Sequence, residues 1–459
     1  MIVMSMVLVG AVQAWGQEAQ APVSTSVEAP ADKSVHMQPP GLTLEESVRI
    51  ALEKNPTVRI AEQQVLRAGA VTSEARAGLG PRLSASATHF RTGPIPSVSI
   101  PTPEGPQTIE VGVPQTTRSQ LSLALPIDIS RQITTAIETA DLARLADEFG
   151  LAGVQQSVSL RVQEAYLGVL RAQALQRVAE EALASAEEHL RLAQLQQKAG
   201  VVPQFDVLRA EVQVANFRQN LVAARNAVDL AISGLNRAMG VDVNQRWQLE
   251  EPAHPAPTVV DLGASQQEAD RRRPEVLRAQ VEARAARKGV RLAKAGLQPS
   301  LALVADYNFD ANPSGFAGLD KFWDFSAVVS LPLFDSGATK ARVRQARADT
   351  ASADLAEQDT RQQVALEVRQ AFLSLGEAEE RMRTTEKDAE QAREALRLAQ
   401  VRYRAGVSTS VAVTDAEVAF TQARSNQVNA LYDYQLARAR LDRAIGRPLG
   451  EYPEEEERK

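Results

Sequence analysis

The chain carries the same long phrase twice, and this constrains its fold more than any other feature. Leu190–Gly240 aligns without a gap on Leu396–Gly446, with about 22 of 51 positions identical, at an offset of 396 − 190 = 206 residues. The same register joins Leu125-Pro126-Ile127 to Leu331-Pro332-Leu333. Upstream, Asn55-Pro56-Thr57-Val58 matches Arg273-Pro274-Glu275-Val276, and Gly78-Leu79-Gly80-Pro81 matches Gly296-Leu297-Gln298-Pro299, now at 273 − 55 = 218. The twelve extra residues fall between Pro81 and Pro126, where TGPIPSVSIPTPEGPQTIEVGVPQ reads as a Pro-rich loop without a counterpart. Units of this length are too long for a solenoid and point to a duplicated domain with pseudo-symmetric halves. The halves are placed at 42–250 and 265–450, joined by a linker at 251–264.

Each copy runs helix, strand, strand, long helix, return helix. Thr43-Leu44-Glu45-Glu46 has the form of a capping box, and that helix is expected to break at Pro56 and to stop before Pro81. Strands with period-two alternation are expected at 83–90 and 119–127, then at 301–309 and 322–334. In the last, Trp323, Phe325, Ala327, Val329 and Leu331 share a face opposite Asp324, Ser326 and Ser330. A helix of about 70 residues follows, roughly 100 Å long at 1.5 Å per residue. In copy two its apolar row is Val364, Val368, Ala371, Leu375, Ala378, Met382, Thr385, Ala389, Ala392, Leu396, Ala399 and Tyr403, spaced 4,3,4,3 throughout. That period of 3.5 specifies a left-handed coiled-coil seam. Small residues at alternate positions (Ala165, Ala172, Ala179, Ala186 and Ala193 in copy one) allow close helix approach.

Each long helix ends in an AGV tip. Lys198, or Arg402 with Arg404, places cations at the helix C-terminus, and Gly200 or Gly406 supplies the left-handed residue that stops it. Val202-Pro203 or Ser408-Thr409-Ser410 then suits the first turn of the next helix. The molecule is therefore expected to have strands at one end and two helical turns at the other.

Other features exclude more than they assign. There is no cysteine, hence no disulfide, Cys-based zinc site, thiol nucleophile or lipid-bearing cysteine in this sequence. A net charge of −6 without a basic face argues against nucleic acid. Residues 1–21 read as a secretory signal, with an apolar core at Ile2–Val12 and Ala14 as the candidate cleavage site, although the usual basic segment is missing. Residues 22–41 read as a flexible segment and 451–459 as an acidic tail. No other segment reaches the ~18 apolar residues of a spanning helix, so any membrane crossing must use strands. The four histidines are scattered, with His189 beside Glu187-Glu188 read as a surface cluster. Arg271-Arg272-Arg273 is expected to face solvent, and Asp335 or Ser336 to cap the second long helix. No catalytic, cofactor or metal motif is present.

In combination, LTLEESVRIALEKNP, RAGLGPRLSASA, LSLALPI and RAGVSTSVAVTDAEV resemble the TolC-like outer membrane efflux proteins, from Leu42 to about Leu449. The resemblance implies a mainly α, mixed fold: coiled-coil hairpins forming an α-barrel, with four strands per chain entering a trimeric, 12-stranded transmembrane β-barrel. It implies a homotrimer in outer-membrane lipid with its helices in the periplasm. It further implies an adaptor (membrane fusion) protein and an inner-membrane transporter as partners, in efflux or type I secretion. The loops at 91–118 and 310–321 would face outside. In the family, an acid nine positions after the second tip glycine narrows the tunnel mouth, and Asp415 matches it; the alternative is a solvated acid beside Arg404 or Arg424. The family's acid six positions after the glycine corresponds to Asp206 in copy one but to Ala412 in copy two, and Asp206 also reads as a helix-start residue near Arg209 that holds the tip. Val201, Val407 and Val411 are candidate adaptor contacts or tip packing. The competing reading is a periplasmic coiled-coil scaffold or adaptor without a pore.

Overall fold

The computed structural model describes residues 41–95, 97–110, 115–251, 260–311 and 320–447. The expected signal, N-terminal segment and acidic tail, and most of the linker and of the loop at 310–321, lie outside the described residues. In chain order the elements are β1 (Gly41–Leu42), α1 (Leu44–Lys54), α2 (Pro56–Ala77), β2 (Arg82–Arg91), β3 (Ser97–Thr102), β4 (Gly105–Glu110), β5 (Gln115–Ile127), α3 (Gln132–Lys198) and α4 (Gln204–Met239). Then come β6 (Gln248–Leu249), α5 (Leu262–Arg272), α6 (Pro274–Lys294), a single 3-10 turn at Ala295–Leu297, β7 (Ser300–Ala311), β8 (Lys321–Ser330), α7 (Ala338–Arg404) and α8 (Ser410–Ile445). The two long helices have 67 residues each and the two return helices 36 each.

The seam explains the hairpins. All twelve seam residues of α7 are buried or half-buried, and α8 packs along them. Ala378, Leu375 and Met382 meet Tyr434 and Ala437 of α8; Leu396, Ala399 and Tyr403 meet Val413, Ala416 and Phe420. On α3 the small residues Ala182 and Ala186 admit Phe217 and Val214 of α4. Each larger buried side chain contributes about 1.5–3 kcal/mol by leaving water.

A second buried stripe on α3 runs through Gln163, Leu167, Leu170, Ala174, Val178, Ser185 and His189. It lies against α8, so α3 has a neighbour on each side, whereas α7 packs along its length on α8 and meets α3 near the tip, through Leu192 and His189. One consequence is that His189 is buried rather than part of a surface cluster.

The bends at Asn55-Pro56 and Arg273-Pro274 form equivalent joints. Asn55 Nδ2 donates to Ala238 O at 2.7 Å, at the end of α4. Arg273 Nη1 donates to Arg443 O (3.4 Å) and Ala444 O (3.3 Å), at the end of α8. Ala444 is Ala238 plus 206, so different side chains in the two copies satisfy the same orphan carbonyls. Arg273 is only 2% exposed and also binds Glu275 and Glu367, which corrects the expectation that all three arginines face solvent; Arg271 and Arg272 do. The largest core cluster surrounds the first joint, with Leu42, Val58, Val162, Val169, Leu235 and Met239. Within it the Tyr166 hydroxyl lies 2.8 Å from Leu42 O and 2.6 Å from Glu250 O, tying β1 to β6, and burial pushes its pKa up to about 12. Its copy-two equivalent, Phe372, has no hydroxyl.

The strands form one antiparallel sheet of order β2-β5-β7-β8. Two expectations are corrected here. The Pro-rich loop contains an antiparallel hairpin, β3 with β4, in which Val98 and Ile100 alternate with serines and the backbone register sets Val98 opposite Ile109 and Ile100 opposite Gln107. The last strand stops at Ser330, because its partner β7 begins at Ser300 and leaves 331–334 nothing to pair with. The second long helix is N-capped by Gly337 in the left-handed conformation. Asp335 accepts from Gly337 N–H (3.0 Å) and Thr339 N–H (2.6 Å), while Ser336 does not cap.

The end of α4 at Gly240 has φ +76°, and an added Cβ would sit 2.8 Å from Asn55 Cα. Gly200, at φ +77°, has open space around it. Gly200→Ala is therefore expected to cost about 1–2 kcal/mol from the left-handed backbone alone. Gly240→Ala is expected to cost clearly more, read as a larger drop in urea midpoint and faster amide exchange at the α1–α2 joint.

Candidate functional site

Two regions stand out from the helical bundle. The first is the sheet. Its register places Leu83, Leu121, Leu123, Tyr307, Trp323, Phe325 and Val329 on one face, through pairs such as Leu83↔Leu123, Leu121↔Tyr307 and Tyr307↔Trp323. The other face carries Ser84, Gln120, Arg118, Asp306, Asp324 and Ser326, with Ser122↔Asp306 and Asp306↔Asp324 directly opposed. Arg118 grips Asp310 through two nitrogens at 2.9 and 3.2 Å, and Asn308 donates to Asp324 at 3.3 Å. Trp323 and Val329 are 75% and 66% exposed, which in water would be a large apolar surface. The sheet is thus apolar on one side, mixed on the other, where Phe90, Phe322 and Val328 stand among the polar residues, and unpaired along β2 and β8. Among the described residues, no helix is long and apolar enough to cross a membrane.

The second region is the pair of tips. Gly200 N–H donates to Gln197 O and Val201 N–H to Gln196 O, both at 2.9 Å. Gly406 and Val407 repeat the pattern to Tyr403 O and Arg402 O at 3.0 Å. These paired bonds satisfy the last carbonyls of each long helix. The left-handed φ of Gly200 and Gly406, +77° and +71°, is what the turn requires. Val201 and Val407 are exposed and Val411 is half-buried. At the first tip Val201, Phe205, Leu208 and Val212 form an exposed apolar row at 4,3,4 spacing. The last three were not singled out from the sequence, although the spacing was there to find.

Asp415 is exposed on α8, in a row with Ala412, Ala419 and Gln422, turned away from the buried face. It makes no ion pair with Arg404; Arg424 bonds Gln427 instead. Asp206 is half-buried at the start of α4 and makes no ion pair with Arg209. Its charge acts instead on His189 of α3 and Tyr403 of α7, so it lies where the two hairpins meet. Sequence reasoning missed a buried polar cluster beside it. His189 packs its ring 5.1 Å from that of Tyr403, and its Nε2 lies 3.1 Å from Ser410 Oγ. One turn earlier, Ser185 Oγ donates to Glu417 Oε1 at 2.9 Å. Burial lowers the His189 pKa, with Asp206 opposing, and pushes Glu417 up to about 7, with the Ser185 hydrogen bond opposing. Among the described residues no group of His, Cys, Asp and Glu is arranged to hold a metal ion.

Comparison with known proteins fits this geometry. The profile of the "Outer membrane efflux protein" family matches residues 48–241 and 266–447, and the chain belongs to that family. It is 27% identical over 343 residues to outer membrane protein OprJ of Pseudomonas aeruginosa, covering 71% of this chain and 70% of that one. It is 27% identical over 323 residues to outer membrane protein TolC of Vibrio cholerae, covering 69% and 74%. Among solved structures, the outer-membrane channel OprN superposes with TM-score 0.74 at 23% identity over 88% of this chain and 90% of that one. Outer membrane protein VceC of Vibrio cholerae gives 0.72 at 21%, over 88% and 96%.

An arginine on the apolar face of an outer-membrane strand costs about 2–4 kcal/mol at mid-bilayer. Phe325→Arg, midway along β8 on the apolar face, is therefore expected to lower the urea midpoint of vesicle-inserted protein, whereas Ser326→Arg, on the opposite face, is expected to leave it nearly unchanged.

Proposed function

We propose that this chain is the outer-membrane duct of a tripartite efflux or type I secretion system. Three copies close one barrel and carry substrate passively from an inner-membrane transporter, through the periplasm, to the outside. The observation that carries this reading is the four-stranded sheet with one apolar face and two open edges. Unpaired backbone groups are not tolerated in lipid, so the edges must be joined. An even number of alternating strands leaves β2 and β8 antiparallel to each other. The β8 of one copy can therefore pair with the β2 of the next in a head-to-tail ring without breaking the antiparallel pattern. The number three rests on the family. Each protomer then contributes two structural repeats, 42–250 and 265–450.

The tips face the inner membrane in this arrangement, and the exposed Val201, Phe205 and Val407 are contacts for a periplasmic adaptor. Asp415 supplies one carboxylate per copy to the tunnel mouth. Three such charges around a narrow opening repel one another and favour cations. No reaction is assigned to the chain. The Ser410–His189 pair has the spacing of an activated nucleophile, yet Ser410 is 1% exposed and out of reach of any substrate.

The protein is expected to require detergent for extraction and to run as an SDS-resistant trimer; a monomer that stays dissolved in plain buffer would favour the scaffold reading instead. In planar bilayers Asp415→Ala is expected to raise conductance and weaken cation preference. Unchanged single-channel behaviour would remove Asp415 from the mouth.

A further inference from the structure

Glu417 sits one heptad beyond Ser410 on α8, and both face α3, where Ser185 and His189 are one turn apart. The carboxylate is 2% exposed, its Oε1 accepts one serine hydrogen bond, and its Oε2 has no partner. Among the described residues no cation pairs with it. On α3, Arg191 pairs with Glu188. On α7, Arg397 pairs with Glu394 and Arg393 lies over the Phe420 ring. On α8, Arg424 bonds Gln427 and Asp415 points to solvent. At the start of α4, Asp206 acts on His189 and Tyr403, and Glu417 feels only burial and the Ser185 hydroxyl. A buried carboxylate without a counter-charge is tolerated only when protonated.

We propose that Ser185–Glu417 and His189–Ser410 form a latch that holds the tip end of α8 against α3, and that the latch closes with Glu417 neutral and releases when Glu417 ionises. The direction follows from linkage. A carboxyl whose pKa is raised to about 7 when buried stabilises the closed form fully below its ordinary value near 4.5, and this stabilisation is lost as pH rises through about 7. His189, depressed by burial, acts oppositely and only below its ordinary 6.5, so between 6.5 and about 7 Glu417 alone sets the sign. In the duct reading, on which this consequence rests, release frees the second hairpin's tip from the first.

The absence of native cysteines permits paired spin labels at V201C and V407C, measured in full-length protein with labelled protomers diluted among unlabelled ones. The intra-protomer tip-to-tip distance is expected to lengthen or broaden as pH rises from about 4.5 through about 7. Glu417→Gln is expected to abolish that transition and keep the short distance. Ser185→Ala removes one of the two bonds that hold the closed form in either protonation state and is expected to move the midpoint to lower pH. A pH-independent distance in the parent, or a midpoint unmoved by either substitution, would overturn the latch. The distance is read within one protomer, so that failure leaves the duct reading standing, and a failure to trimerise leaves the latch standing.

Discussion

Everything in this molecule is mounted on the close approach of a long helix to its return helix. Small residues at alternate seam positions bring the two backbones near enough for Phe217, Tyr434 or Phe420 to enter the gaps, and the pattern is maintained over most of a 67-residue helix. Such a hairpin has little core of its own at any one level. Its rigidity comes from repeating the same small contact many times, and it places strands at one end and turns at the other.

Duplication then supplies a second hairpin, and the copies have diverged where they share surfaces. Both return helices end at a left-handed glycine beside a proline bend, but Asn55 caps one with an amide and Arg273 the other with a guanidinium. The arginine brings the half-buried Glu275, Glu367 and Arg443 into the joint, a charge network that the first joint lacks. Tyr166 clamps the short β1–β6 pair in the first half, where Phe372 stands in the second. The halves are alike in backbone and different in what their side chains can be asked to hold.

That asymmetry reaches the tips. Because α3 touches α8 as well as α4, the first hairpin presents a second buried stripe, and near the tip its residues are polar: Ser185 and His189 facing Glu417 and Ser410. Polar contacts in a seam are weaker than leucine packing and respond to charge, as the proposed latch requires. The exposed Asp415 stands two residues from Glu417 on the same helix, so one acid meets solvent and the other is held from it.

The sequence by itself determined the elements. Period 3.5 marked the long helices, period two the strands, and the glycines at 200 and 406 the tips, because each depends on neighbours a few residues away. A periodic row reports one partner, however, and so the second stripe of α3 could not be read from it. The burial of His189, Arg273 and Glu417 depends on which helices lie side by side, a matter of contacts more than 170 residues apart in the chain for Arg273 and 232 for Ser185 with Glu417. The strand order and the β3–β4 pairing likewise came only with the tertiary structure, since alternation gives each strand two faces but does not say which strand stands beside it.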